Sequence, residues 1–169
     1  MRAVAALAVM AVSLPNCGGS SANSRLISVC QSTEAHSTTT PVTGRIYAFG
    51  GPKVEIEVDN TGNLGHGQAI LGTTDYPGWS ALRTHFFTPP SYTGPFSVGV
   101  KGIEGSGVAG IGPTPPGGAI NEPAGPAQEA SHGWREWPAF TWVKSPGCYV
   151  FTISGPGFVK HVTIAGLGR

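Results

Sequence analysis

The chain has 169 residues and a formal net charge of +1, and only 11% of its residues are charged. It therefore lacks the excess of Lys and Arg that drives binding to phosphates, and we expect no nucleic acid partner. The 26 glycines and 15 prolines cost about 1 and 3 kcal/mol at each helix position they would occupy. Composition and length together favour one domain built from strands.

The first residues have the layout of a secretory signal peptide. Arg2 supplies a positive charge, and an apolar run from Ala3 to Leu14 follows it. This run is much shorter than the about 20 apolar residues that cross a bilayer, so it predicts export and not an integral membrane protein. We assign residues 1–16 to the signal peptide and residues 17–25, which are rich in Gly and Ser, to a flexible tether.

The sequence SLPNCGGSS at the end of the signal has two interpretations. It resembles a bacterial lipobox, in which Cys17 receives a diacylglyceryl group and anchors the mature protein to the membrane. Pro15 and Asn16 depart from the small residues that are usual there. Ordinary cleavage near SSANS, for example after Ala22, would instead release the protein. We favour the lipid anchor, because it explains a cysteine directly after the apolar run.

Residues 26–169 are predicted to form one domain of short strands and turns. In KVEIEVDN, Val54, Ile56 and Val58 alternate with acidic residues, which indicates a strand with one buried face and one wet face. The last two strand candidates flank GPG, a sequence typical of a hairpin turn. This pattern predicts an all-β antiparallel sandwich. Besides KVEIEVDN, the candidates in chain order are RLISVCQSTEAH, GRIYAF, QAILGTT, RTHFFT, FSVGVKGI, AFTWVKS, CYVFTIS and FVKHVTIA.

The segment 99–126 interrupts this pattern, because it is dominated by Gly and Pro. We predict a long Gly/Pro-rich surface loop there. Within it, GSGVAG fits the G-x-G-x-x-G dinucleotide fingerprint, which requires a helix to begin at the glycines. The sequence IGPTPPGGA that follows is incompatible with a helix, so we expect no nucleotide site.

The sequence contains no recognisable catalytic or metal-binding constellation. It has no G-x-S-x-G elbow, and its five histidines are far apart, without the short ligand spacing of many metal sites. We therefore expect no cofactor and no metal, and we rank an enzyme with a loop-built site last among the functions considered. The histidines are His36, His66, His85, His132 and His161.

Two cysteines remain when Cys17 is assigned to the lipid. An exported compartment allows Cys30 and Cys148 to form a disulfide, which would stabilise the fold by about 4–5 kcal/mol in the chain-entropy model. The alternative is a reactive thiol at Cys148. There is no C-x-x-C motif, and Lys144 is the nearest cation in sequence, so we predict a structural disulfide.

An aromatic cluster, HGWREWPAFTW, has two interpretations. Exposed tryptophans would bind a sugar ring or an apolar group of a partner protein. We favour the alternative, in which Trp137 and Trp142 belong to the core and Trp134 covers an edge of the sheet. Trp79, Trp134 and Arg135 remain the candidate contacts for a protein or carbohydrate partner.

The stretch WREWPAFTWVKSPGCYVFTISGPGFVKHVTI resembles the C-terminal part of a group of uncharacterised bacterial exported proteins. Those proteins end in a Trp/Pro-rich strand, then P-G-C-Y or P-G-C-W, then a hairpin of alternating apolar residues. The resemblance implies an immunoglobulin-like sandwich on the cell surface, and it brings no catalytic residues. The matching residues are Trp137, Pro138, Pro146, Gly147, Cys148 and Tyr149.

The sequence thus predicts a lipid-anchored β-sandwich that serves as a binding or structural module of the cell envelope. A carbohydrate-binding module with exposed aromatic residues is the alternative.

Overall fold

The computed structural model describes residue 25 and residues 30–40, 44–58, 67–103, 107–125 and 129–168. Twelve β-strands are assigned in these ranges. The first six are β1 (His36–Thr40), β2 (Gly44–Gly50), β3 (Glu55–Val58), β4 (Gln68–Ile70), β5 (Ser80–Thr88) and β6 (Phe96–Ile103). The other six are β7 (Ala109–Gly112), β8 (Ile120–Glu122), β9 (Glu129–Ser131), β10 (Trp134–Val143), β11 (Gly147–Gly155) and β12 (Phe158–Leu167).

The strands form two sheets. The first sheet has the order β1-β2-β3-β5-β10-β7, and β9 also pairs with β10; the second has the order β4-β12-β11-β6-β8. All neighbours are antiparallel except β4 and β12, which are parallel. The predicted all-β sandwich with antiparallel sheets is confirmed, and the immunoglobulin-like topology stays a prediction.

The core lies between the two sheets and is rich in aromatic side chains. Phe49, Phe86 and Trp137 of the first sheet and Tyr149 and Phe151 of the second belong to one buried apolar cluster. Burying large apolar side chains stabilises a fold by about 1.5–3 kcal/mol each.

The alternation predicted around β3 is correct on its apolar side. Val54, Ile56 and Val58 are all buried. Glu55, on the other face, is also buried, and its Oε1 lies 3.5 Å from Nε2 of His36. The prediction of a wet face was therefore wrong at Glu55, because the outer face of the first sheet is partly covered.

The predicted C-terminal hairpin is confirmed. In the β11–β12 register Gly155 pairs with Phe158, which leaves Pro156 and Gly157 as the two turn residues. Gly157 has a φ of +73°, a conformation that glycine adopts without steric cost.

The predicted disulfide is confirmed. Cys30 and Cys148 are bonded, with a Cα–Cα distance of 5.5 Å. Cys148 is the second residue of β11, and the two half-cystines form a small buried cluster with Ala165 and Leu167 of β12. The bond therefore ties the N-terminal part of the domain to the C-terminal hairpin.

The segment 99–126 is more regular than predicted, and the expectation of an uninterrupted loop is corrected. β6 extends into it, and β7 and β8 lie within it. The β7–β8 turn folds back so tightly that a Cβ at Gly110 would lie 2.2 Å from the carbonyl oxygen of Pro116. The glycines thus permit strands to form in the segment predicted as a loop. The sequence GSGVAG leads into strand β7 and not into a helix.

Several predictions concern residues outside the described ranges. These are the signal peptide, the lipid site at Cys17, the alternative cleavage after Ala22 and residues 26–29 of the strand candidate RLISVCQSTEAH. Residues 31–35 of that candidate are described and form no strand, so the prediction was wrong there. In the ranges given above, no helix has both the length and the apolar character needed to cross a bilayer.

Candidate functional site

The predicted contact residues do not come together. Trp134 is half-buried and packs against Ala48 and Phe87 on the outer face of the first sheet. Trp79 lies beyond the other end of β10, where Nζ of Lys144 is 5.0 Å from its ring centroid. Trp134 thus covers the outer face of the first sheet and not an edge, as had been predicted, and the two tryptophans belong to different surfaces.

Arg135 is only 6% exposed, so its prediction as an outer contact was wrong. Its Nε donates to Oγ1 of Thr88 at 2.9 Å, and Nη1 donates to the carbonyl of Gly125 at 2.8 Å. Nη2 donates to the carbonyls of Tyr92 and Gly94 at 2.9 and 3.2 Å. Burial lowers the pKa of Arg135, and the Tyr92 side chain partly opposes this. The side chain joins β5, β10 and two loops and is not available to a ligand.

A cavity of about 550 Å³ opens at the free edge of β10 and is lined by residues of both sheets. We call it the edge cleft. Its volume lies in the range of about 300–1,000 Å³ that is typical of small-molecule sites. The described residues that line it are mainly apolar, and they include one cation and one anion: Arg83, Gly112, Pro113, Ile120, Glu122, Trp137, Pro138, Ala139 and Phe140.

The edge cleft exists because two short strands share one edge of β10. β9 pairs with Trp134–Glu136, and β7 pairs with Phe140–Val143, so neither covers residues 137–139. Pro138 lies in this gap. Proline has no N–H, so the gap leaves no hydrogen-bond donor from this residue unpaired. The opening can therefore persist in a folded protein.

Trp137 forms the rigid floor of the edge cleft. It is 2% exposed, its ring meets that of Phe96 edge-on with centroids 4.9 Å apart, and the Arg135 guanidinium lies 5.1 Å from its centroid. Ala139 also packs against the core. A cavity with such a floor is preformed, which reduces the ordering cost of binding.

Phe140 forms the exposed wall of the edge cleft, with 42% of its surface accessible. Its ring centroid is 5.6 Å from that of Trp142, which also meets Tyr76 at 5.2 Å. Trp142 itself is buried, and its Nε1 donates to the carbonyl of Gly112 at 2.8 Å. We call Tyr76, Phe140 and Trp142 the aromatic rim. It continues the apolar lining of the edge cleft onto the outer surface.

A comparison with models of known protein families and with curated sequences found no match. The interpretation of the edge cleft therefore depends on its own geometry.

The surface positions of Phe140 and Tyr76 were not predicted from the sequence. The alternation in WREWPAFTW offered a signal for the first of them, since Trp137 and Phe140 are three positions apart and must lie on opposite faces of a strand. Tyr76 belongs to a segment without regular structure, and its contact with Trp142 gives no sequence signal.

A buried contact between a histidine and a glutamate lies on the outer face of the first sheet, beside the edge cleft. Nδ1 of His85 contacts Oε1 of Glu136, and both side chains are buried. Among the described residues, Nε2 of His85 and Oε2 of Glu136 have no hydrogen-bond partner, and no group of three or more His, Cys, Asp or Glu is placed to hold a metal ion. A carboxylate-bound imidazole resembles half of a catalytic triad, but burial separates this one from solvent. We assign the pair a structural role.

A second cavity, of about 540 Å³, lies on the other side of β8. Glu122 lines both cavities. Here the lining is more polar, and the hydroxyls of Ser97 and Ser154 lie 2.8 Å apart. A ligand longer than the edge cleft would cross Glu122 and meet hydroxyl groups.

Proposed function

We propose that this chain is an exported binding protein, held at the cell envelope by a lipid on Cys17, and that the edge cleft is its binding site. The signal-like N-terminus supports export. The Cys30–Cys148 bond is consistent with export, because structural disulfides persist in oxidising compartments. Free secretion after cleavage near Ala22 is the alternative to the lipid anchor.

The resemblance to bacterial exported proteins supports the same location. Its matching residues, Trp137 to Tyr149, extend from the floor of the edge cleft through the β10–β11 turn to the disulfide. We propose that those proteins share the immunoglobulin-like sandwich that the resemblance implies.

One observation carries the proposal of binding. The edge cleft is a preformed apolar cavity whose exposed wall, Phe140, is a large aromatic side chain. Exposed aromatic residues beside a buried floor are typical of the anchor positions of protein interfaces. The ligand we expect presents an apolar group to Trp137 and polar groups to Arg83 and Glu122 at the opening.

A carbohydrate is the second candidate ligand. The exposed ring of Phe140 offers a flat apolar surface, and Arg83 and Glu122 supply a hydrogen-bond donor and an acceptor next to it. This arrangement replaces the predicted platform of tryptophans, because Trp137 is buried and Trp134 packs on the sheet. No Ser, Cys or His occurs among the described residues that line the edge cleft, so catalysis by one of these nucleophiles has no support there.

The anchor is tested by the intact mass of the protein purified from a bacterial host. We expect a mass increment for a diacylglyceryl group on the native chain and its loss in Cys17→Ala. A native chain of unmodified mass would refute the anchor and favour free secretion.

A further inference from the structure

We propose that one end of the sandwich docks on the phospholipid bilayer to which the protein's own N-terminus is anchored. This inference rests on the lipid anchor at Cys17 proposed above. It assigns a second contact surface, which adjoins the aromatic rim of the edge cleft at Tyr76.

The surface is the end of the sandwich at which the disulfide lies, which we call the disulfide end. Cys148 pairs with Ile103 at the end of β6 and with Ala165 near the end of β12. In the first sheet, Val143 pairs with Ser80 at the start of β5 and with Ala109 at the start of β7. The turn 144–146 links β10 to β11. One end of each sheet therefore lies at the disulfide end.

The tether enters the domain at the disulfide end. Cys30 is fixed to Cys148 there. The lipid site at Cys17 is 13 positions earlier in the chain, and a connection of that length spans at most about 45 Å even when fully extended. The tether therefore keeps the disulfide end near the bilayer, and the side chains at this end have to supply the orientation.

Exposed apolar and aromatic residues are concentrated at the disulfide end. Of the five large apolar side chains exposed among the described residues, three lie here: Ile70 at the end of β4, Tyr76 in the β4–β5 connection, and Val108 just before β7. Ile70 and Tyr76 belong to one stretch of the chain, and Val108 belongs to another. Contact with the bilayer surface would remove these exposed apolar side chains from water.

The polar groups at this end suit the region of the lipid headgroups. The ammonium of Lys144 lies 5.0 Å from the ring centroid of Trp79. Trp, Tyr and Lys are the residues enriched at membrane–water interfaces, where rings sit at headgroup level and ammonium groups approach phosphates. Asp75 is exposed in the same connection, so net attraction by charge is small. Contact of the rings and apolar side chains with the interface supplies most of the affinity.

The opposite end of the sandwich provides a matched control. Val159 is 60% exposed and Val108 is 53% exposed. Val159 pairs with Ser154, six residues along β11 from Cys148, which corresponds to about 20 Å at the rise of a strand. An environment-sensitive fluorophore on either valine position thus reports on one end of the domain.

The experiment uses the lipidated full-length protein in anionic vesicles, which contain phosphatidylethanolamine and phosphatidylglycerol in a ratio of about 3:1. Val108→Cys and Val159→Cys are labelled separately with a nitrobenzoxadiazole maleimide. We expect the label at 108 to brighten severalfold and shift to shorter wavelength on reconstitution, and the label at 159 to stay unchanged. Adding Tyr76→Asp should reduce the response at 108 while the protein still floats with the vesicles.

The outcomes separate this inference from the anchor. Protein that floats with vesicles but gives no response at 108 would overturn docking and leave the anchor intact. Protein that fails to float would refute the anchor and the docking that rests on it. Equal responses at 108 and 159 would also overturn the proposal, because they would mean that no particular end faces the bilayer.

Discussion

Replacing both Cys30 and Cys148 with serine should lower the free energy of unfolding by about 4 kcal/mol, because their bond closes a very long loop in the unfolded chain. The two cysteines are 118 positions apart. The chain-entropy model gives about 4.7 kcal/mol for a loop of 100 residues, and measured losses are usually between about 2 and 5 kcal/mol. For a small domain this is a large fraction of the total stability. The measurement is equilibrium unfolding in guanidinium chloride, followed by tryptophan fluorescence.

The control for this prediction is the reducing agent. Native protein unfolded with a strong reductant should approach the midpoint of the double-serine variant, and the variant should not respond to the reductant. Identical midpoints of the native protein with and without reductant would contradict the assigned role of the bond.

Replacing Arg135 with methionine should lower the free energy of unfolding by about 3 kcal/mol or more, since hydrogen bonds to charged groups contribute about 1.5–3 kcal/mol each and are not additive. The guanidinium donates to one hydroxyl and three carbonyls. Methionine would leave these acceptors without their donor and remove the cation above Trp137. Arg135→Lys should recover little, because one ammonium group cannot reproduce the planar fork.

Lys101→Met is the control for Arg135→Met. Lys101 is exposed on strand β6, and substitutions at such positions usually change stability by less than about 0.5 kcal/mol. If the two methionine variants unfold at the same denaturant concentration, the hydrogen bonds of the Arg135 guanidinium do not stabilise the fold.

The alternation of side chains in β10 predicts which face of the sheet each residue occupies, and residue type alone does not. If Trp137 is in the core, then Arg135, two positions earlier, faces the same way. The sequence therefore allowed the burial of Arg135 to be predicted. The general tendency of arginine to be exposed led to the opposite expectation, because the partners that make burial tolerable lie in loops remote in sequence.

The same alternation shows that Trp137 and Trp142, five positions apart, cannot both face between the sheets. Both are buried, as predicted, but Trp142 is buried on the outer face, where Tyr76 covers it and Gly112 accepts its N–H. This cover comes from distant segments of the chain. Local sequence pattern therefore gives the face of the strand but not what packs against it.

Most strands were predictable, whereas the edge cleft was not. β6 and β12 begin at the residues that their alternating apolar patterns indicate. The edge cleft requires β7 and β9 to pair with separate parts of one edge of β10, and β8 to lie across from the gap. β7 and β8 belong to the segment that composition predicted as a loop. Long-range pairing gave this glycine-rich chain an order that local propensity does not encode.

The central claim, that the edge cleft is a binding site, is tested most directly by photo-crosslinking in the cells that make the protein. Phe140→benzoylphenylalanine places a reactive aromatic group in the exposed wall of the edge cleft, and the same substitution at Val159 is the control, since that residue is exposed on the other sheet. We expect a discrete adduct at 140 and none at 159; mass spectrometry of the crosslinked peptide then shows whether the ligand is a protein or a carbohydrate. No adduct at 140, or equal adducts at both positions, would contradict it.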